Sequence, residues 1–225
     1  LAISYAHDAI TYKVGGHGKN RTWIGGIYGS YRPQNYYIVG DLAFGYSHDT
    51  MNRPIHIGAL HYKAKSKPKL CQTAGYLEAG FDLCTVGLLY QPFLGLEISH
   101  YAFNRVSEYG AYPLNLNISG KNYTHSHSRL GIHLTAADIA NISFSFDFAW
   151  KFRLTGLRNN VTTRFQAFGD KMHISGVPLS RNSFDYAATF STNLWNRWNL
   201  YVEVSGEKWS RASCYSVLGG LKYSW

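Results

Sequence analysis

No window of this sequence comes near the roughly 18 to 20 consecutive apolar residues that a membrane-crossing helix needs. A transmembrane helix is therefore excluded, but a negative mean hydropathy of -0.23 excludes little else. Strands that alternate apolar and polar residues average out on such a scale. The chain also lacks a Met at position 1 and a signal-peptide pattern, so it reads as a trimmed or partial piece of something longer. Its three cysteines are an odd number in a long chain and imply no disulfide framework. Cys71 and Cys84 fall near opposite ends of one expected strand, beyond bridging distance. Cys71 and Cys214 fall near one rim on strands remote in order, so free thiols are expected, with cross-linking between proteins as the alternative. Acidic residues are scarce. Against 22 Lys and Arg there are 13 Asp and Glu, a formal charge of +9 that suits nucleic acid or an anionic membrane surface.

Aromatic residues are plentiful at 16%, with 18 Tyr, and 22 Gly accompany them. That mixture fits girdled strands and tight turns better than a helical fold. The most informative stretch is Ile142–Arg153, ISFSFDFAWKFR. Ile142, Phe144, Phe146, Phe148, Trp150 and Phe152 share one parity, and Ser143, Ser145, Asp147, Ala149, Lys151 and Arg153 share the other. Period two means a strand with two chemically opposed faces. At roughly 3.3 Å per residue and about 45° of tilt it rises about 28 Å, close to a hydrocarbon core. Its apolar face suits lipid and its polar face suits a wet lumen.

The same alternation gives about ten strands, near residues 1–5, 22–32, 36–47, 70–84, 89–101, 126–134, 142–153, 184–194, 200–205 and 214–225. All are expected to join as hairpins. Connections alternate in length: long at 48–69, 102–124 and 154–182, short at 33–35, 85–87 and 195–198. A polar stretch around Gly15–Lys19 supplies the first long connection. Membrane barrels keep this rhythm because short turns lie on the periplasmic side and long loops outside. A soluble sandwich has no reason to keep it.

The ending Gly220-Leu221-Lys222-Tyr223-Ser224-Trp225 fits the Gly-x-x-Φ-x-Φ terminal signal of bacterial outer-membrane proteins. With WIGGIYGSYRPQNYYIVGDLAFGYSHD, YQPFLGLEISHYAFNRVSEYGAYPLNLNISGKNYTHSHSRLGIHL and VLGGLKYSW, essentially the whole chain resembles the translocator barrel of type V autotransporters. Its Cys residues and Tyr/His-rich connections are most like the chlamydial polymorphic outer-membrane proteins. The resemblance implies an all-β, transmembrane, antiparallel up-and-down β-barrel spanning 1–225, with about ten strands present of the family's twelve. The missing parts would be the first two strands, the linker and the passenger. It departs from the family at Leu218, two positions before Gly220, where a polar residue is common.

The resemblance further implies a non-enzymatic role: anchoring a passenger in the outer membrane and helping to export it to the cell surface. No cofactor or metal is implied. The implied partners are outer-membrane lipid and lipopolysaccharide, the outer-membrane assembly machinery and the chain's own passenger in cis. Gly220, Tyr223 and Trp225 would carry the assembly signal. The alternative is a free-standing outer-membrane porin or rim-active hydrolase. The two differ upstream of Leu1, where the first requires a long passenger and the second a nearby signal peptide.

Parity places Asp41, Glu78, Glu97, Arg129, Asp147, Lys151, Asp185, Glu203 and Lys222 toward the lumen. There they either keep a channel wet or pair with one another to brace the wall. His125 and His127 share a strand face at a spacing a metal could use, but no third ligand accompanies them. No Ser/His/Asp or Ser/His/Asn set is singled out for hydrolysis. The basic run Lys63, Lys65, Lys67 and Lys69 lacks interleaved aromatics, so nucleic acid is not expected; a solvated loop or one touching lipopolysaccharide or another polyanion is.

Overall fold

Alternation becomes one long sheet. The computed structural model describes residues 1–11, 15–85, 87–136, 141–155, 160–176, 180–194, 197–210 and 212–223. Its strands are β1 (Ala2–Thr11), β2 (His17–Tyr31), β3 (Tyr36–Ile57), β4 (Leu60–Ser66), β5 (Lys69–Phe81), β6 (Leu83–Thr85), β7 (Leu88–Phe103) and β8 (Val106–Ser107). They continue with β9 (Leu116–Ile118), β10 (Lys121–Ala136), β11 (Ile142–Arg153), β12 (Asn160–Phe165), β13 (Met172–Ser175), β14 (Asn182–Leu194), β15 (Trp198–Trp209) and β16 (Ser213–Tyr223). The main sheet runs β1-β2-β3-β5-β7-β10-β11-β14-β15-β16, with β4 added to β3 and β6 to β7. Each neighbour along that path is antiparallel, so it is an up-and-down meander of ten strands, as expected. No helix occurs among the described residues.

The two faces differ as the sequence requires. On one, Phe144, Phe146, Phe148 and Trp150 of β11 stand exposed, as do Leu94, Leu130 and Val217. Register stacks them into apolar rows: Ile132, Phe148 and Tyr186 lie side by side across β10, β11 and β14. Phe144 and Phe190 meet edge to face at 5.3 Å. The other face carries the buried residues Tyr37, Phe93 and Ala149 together with Glu78, Ser99, Lys151 and Ser183. So much exposed apolar surface on one face suits lipid and not water.

The sheet curls toward its polar face. Strands two places apart lie about 9.6 Å from each other in a flat sheet, yet Lys151 of β11 reaches carboxylates on β7 and β15, past an intervening strand each time. Glycines let rings lie flat against the concave wall. A Cβ on Gly80 would sit 2.6 Å from the Tyr37 ring, and one on Gly131 would sit 2.5 Å from both the Phe93 ring and a backbone oxygen. Aromatics of one strand thus cover the bare backbone of the next.

The long connections carry strands of their own among the described residues. β3 runs on past the sheet and pairs with β4, with Met51 opposite Ser66 and Ile57 opposite Leu60. Residues 104–120 and 154–181 contribute a second sheet of order β13-β12-β9-β8. An antiparallel bridge between Lys65 and Tyr109 ties it to β4. Glu108 is the knot: it accepts from Arg53 Nε at 3.1 Å and from the Leu116 amide at 2.8 Å, while its carbonyl accepts from Gln166 Nε2 at 2.7 Å. The stretch around Gly15–Lys19, expected as a long connection, instead enters β2 and pairs with β1 and β3. Asn20 donating to Asp49 at 2.6 Å shows why polarity misled: strands that outrun a bilayer turn polar without ending. Cys71 and Cys84 fall in separate strands, β5 and β6, and all three cysteines are exposed and free.

Phe146 is 54% exposed on the convex face, whereas its neighbour Ser145 lies on the concave one. Phe146→Arg is expected to lower unfolding free energy in lipid vesicles by about 2–4 kcal/mol and Ser145→Arg to have little effect. Equal losses in denaturant titrations would overturn the facing.

Candidate functional site

The concave wall is where charge collects. Asp147 of β11 and Glu78 of β5 hold the two ring nitrogens of His133, the Glu78 contact being 3.1 Å. Tyr37 donates to Glu78 at 2.9 Å, and the Tyr76 hydroxyl donates to its other oxygen. Phe93 stacks on the His133 ring with centroids 4.3 Å apart. Arg129 lies over Tyr76 and Phe93 and pairs with Asp185 at 3.1 Å. Lys151 stands between three carboxylates: Glu97 at 3.4 Å, Glu207 at 3.4 Å and Asp185 at 3.7 Å. Ser183 donates to Glu207 at 2.7 Å. These contacts form one continuous belt across β3, β5, β7, β10, β11, β14 and β15.

Period two builds the belt. Each strand offers one position in two to this face, and antiparallel register sets His133 opposite Asp147, Arg129 opposite Lys151 and Asp185 opposite Glu207. Only the first of these pairs joins opposite signs; the other two set like charges face to face, and they are offset by contacts that step past the direct partner, Arg129 to Asp185 and Lys151 to Glu97, Asp185 and Glu207. At Lys151 the cation is almost withdrawn from solvent, 9% exposed. A buried charge persists only with partners close by, and here it has three. Both His133 nitrogens are engaged by carboxylates, so neither is free to take a proton from a nucleophile. The arrangement braces a wall with ion pairs and hydrogen bonds that run from strand to strand.

Of the residues that parity assigned to the lumen, Glu78, Glu97, Arg129, Asp147, Lys151 and Asp185 come together in this belt. Asp41 and Lys222 share the face but form no ion pair among the described residues. Glu203 lines a cavity of about 430 Å³ beside Arg129, Asp185 and Glu207. Sequence reasoning missed Glu207, because β15 extends to Trp209 where a link had been expected after residue 205. The period-two rule carried two residues further would have found it. Tyr76 shares the parity of Glu78 and was expected on the polar face, whereas Tyr37 and Phe93 were not singled out, because aromatics were read chiefly as lipid-facing. His125 accepts from Arg153 at 2.9 Å. No group of three metal-ligating side chains occurs among the described residues. At the last strand, a Cβ on Gly220 would meet the Tyr201 ring at 2.5 Å, and Tyr223 packs on Trp198 at 4.9 Å. Trp225 lies outside the described residues.

Lys151→Met leaves Glu97, Asp185 and Glu207 without their shared cation, and the folded barrel is expected to lose about 3 kcal/mol. Adding Glu207→Gln should recover part of that loss, a non-additivity read from denaturant midpoints of the two single variants and the double. Strict additivity would show that the contact carries no energy.

No curated protein sequence matches the chain. Among solved structures, the translocator domain of autotransporter NalP from Neisseria meningitidis aligns with TM-score 0.73 and 12% identity. The alignment covers 98% of this chain and 73% of that one, and at such low identity the likeness is one of fold. The transport unit of the autotransporter AIDA-I from Escherichia coli aligns over 99% of this chain and 88% of its own at 10% identity, but with a TM-score of 0.43, too low to bear on the fold. Residues 1–205 match the autotransporter beta-domain, so that the ten-stranded meander, its apolar convex face and its belted wall are those of a chain that belongs to the autotransporter β-domain family.

Proposed function

We propose that this chain is a translocator barrel of the bacterial outer membrane, which anchors a passenger made in the same polypeptide and assists its export. The observation that carries the reading is the unbroken charged belt on a concave wall whose opposite face is apolar. A soluble sandwich would bury the apolar face, whereas a barrel in lipid exposes it and keeps polar groups inside. Arg129 Nε and Asp185 Oδ1 are buried without a protein partner among the described residues, a need that a hydrated lumen or a passing chain would meet. The family is one of transport domains, and nothing in the belt's geometry is arranged for catalysis.

The edges support a larger whole. Among the described residues, β1 and β16 each have one neighbour in the sheet. Inside a bilayer an open edge leaves backbone N–H and C=O groups without partners, at several kcal/mol each. Two further strands in cis, preceded by linker and passenger, would close the barrel around this single domain of residues 1–225. Outer-membrane lipid and lipopolysaccharide would meet the convex face. The assembly machinery would read the last strand through Gly220, Tyr223 and Trp225, while its edge is still unpaired. No nucleic-acid partner is proposed. The Cys residues and the Tyr/His-rich connections favour the chlamydial polymorphic outer-membrane proteins as the group within the family.

Orientation and assembly give two tests. Epitope tags within 48–69, 102–124 and 154–182 should react with antibody on intact cells, and tags at 33–35 and 195–198 should not; labelling of the short turns would reverse the orientation. Deleting Trp225 together with Tyr223→Ala should leave protease-sensitive chains in the periplasm. Normal insertion of that variant would reduce both rings to interface anchors.

A further inference from the structure

Beneath the small sheet, at the end of the main sheet where the long connections gather, lies a cavity of about 700 Å³. That is the size of a site for a small organic ligand. Its walls are apolar at Met51, Phe103, Val106, Ile118 and Val161, and its charged side chains are two cations, Lys121 and Arg153, with His125 beside them, against one acid. Asp49 is the acid in the lining, and it accepts a hydrogen bond from Asn20.

We infer that this cavity binds an anionic amphipath, an aliphatic carboxylate whose head meets Arg153 and whose tail fills the space under β8, β9 and β12.

Arg153 is the reason for the anion. It is 8% exposed, and its Nε has no hydrogen-bond partner among the described residues. Its Nη1 donates to His125 Nδ1 at 2.9 Å, a neutral acceptor that leaves the positive charge uncompensated. The belt carboxylates Glu97 and Glu207 are held by Lys151. A guanidinium withdrawn from water is costly until an anion pairs with it, and its planar fork suits a carboxylate. Lys121 adds a second cation at the rim, donating to the Asn160 carbonyl at 2.8 Å.

The tail follows from the walls. β7 and β10 are paired with each other along this segment, and β9 is paired with β12 and β8. Their backbone groups are already taken, so a peptide lying here would find few partners for its own N–H and C=O groups. A hydrocarbon chain needs none. The site depends on the fold of the connections and not on passenger export, so either reading can fail without the other.

The test is photolabelling of the full-length protein in outer-membrane vesicles with a dodecanoate carrying a diazirine at its tail. Label is expected on peptides containing Phe103 and Ile118, displaced by dodecanoate but not by dodecanol. Arg153→Gln should cut that labelling about tenfold, the loss of one charge-assisted contact, and Arg153→Lys should restore part of it. Resistance to unfolding in unheated SDS checks that the variants are folded; should Arg153→Gln not fold, Ile118→Trp fills the cavity and should abolish the same label. Label confined to convex residues such as Leu94 and Phe146, equal displacement by dodecanol, or undiminished labelling of the folded variants would overturn the site.

Discussion

A single ammonium group holds together much of what is distinctive here. Lys151 sits in the wall of β11 with carboxylates from β7, β14 and β15 around it. Each contact reaches to or across a neighbouring strand, so the cation fixes both register and curl. Register matters more in this sheet than in a soluble one. A slip by one residue would carry Lys151 and Asp147 into lipid and Phe146 and Phe148 into the lumen. Hydrophobic burial, which normally penalises such a slip, acts here through the bilayer on one face and through ion pairing on the other.

The inside of this molecule therefore reverses the usual order of a core. Its buried side chains include Glu78, Lys151 and Arg153, and the largest apolar residues face outward. Where rings do turn inward, as Tyr37, Tyr76 and Phe93 do, they lie over glycines of the next strand and offer hydroxyl or ring faces to the charges. The aromatic residues thus serve two solvents. Those outside dissolve in lipid; those inside shield backbone and order the belt.

The meander was legible because period two persists through most of its strands, the glycine-rich β2 leaving its facing open, and Ile142–Arg153 states both faces without ambiguity. Six of the nine lumen assignments meet in one network for the same reason. What escaped was whatever alternation does not encode. Parity says that Glu78 and His133 share a face but not that they touch across β7, which depends on curvature. Parity sets Tyr37 on the side of Asp41, but does not show that its hydroxyl reaches Glu78 on the next strand. The long connections were least legible, because β8, β9, β12 and β13 are two to six residues long and held by cross-links such as Arg53–Glu108 rather than by pattern.

Those cross-links change how the connections can evolve. Separate loops drift in sequence independently, each tolerating insertion without notice to the others. Here Glu108 belongs at once to Arg53 on the 48–69 connection, Leu116 on its own and Gln166 on the 154–182 connection. Replacing its side chain strands Arg53 and the Leu116 amide, whereas the Gln166 contact is made to its backbone carbonyl and answers only to changes at Gln166, so the three connections are tied by unequal bonds. Freedom is left to the tips, at Gly58 between β3 and β4 and around Gly169 between β12 and β13, where the backbone already turns through positive φ. New length or new chemistry can enter at those two points while the woven base keeps its pattern.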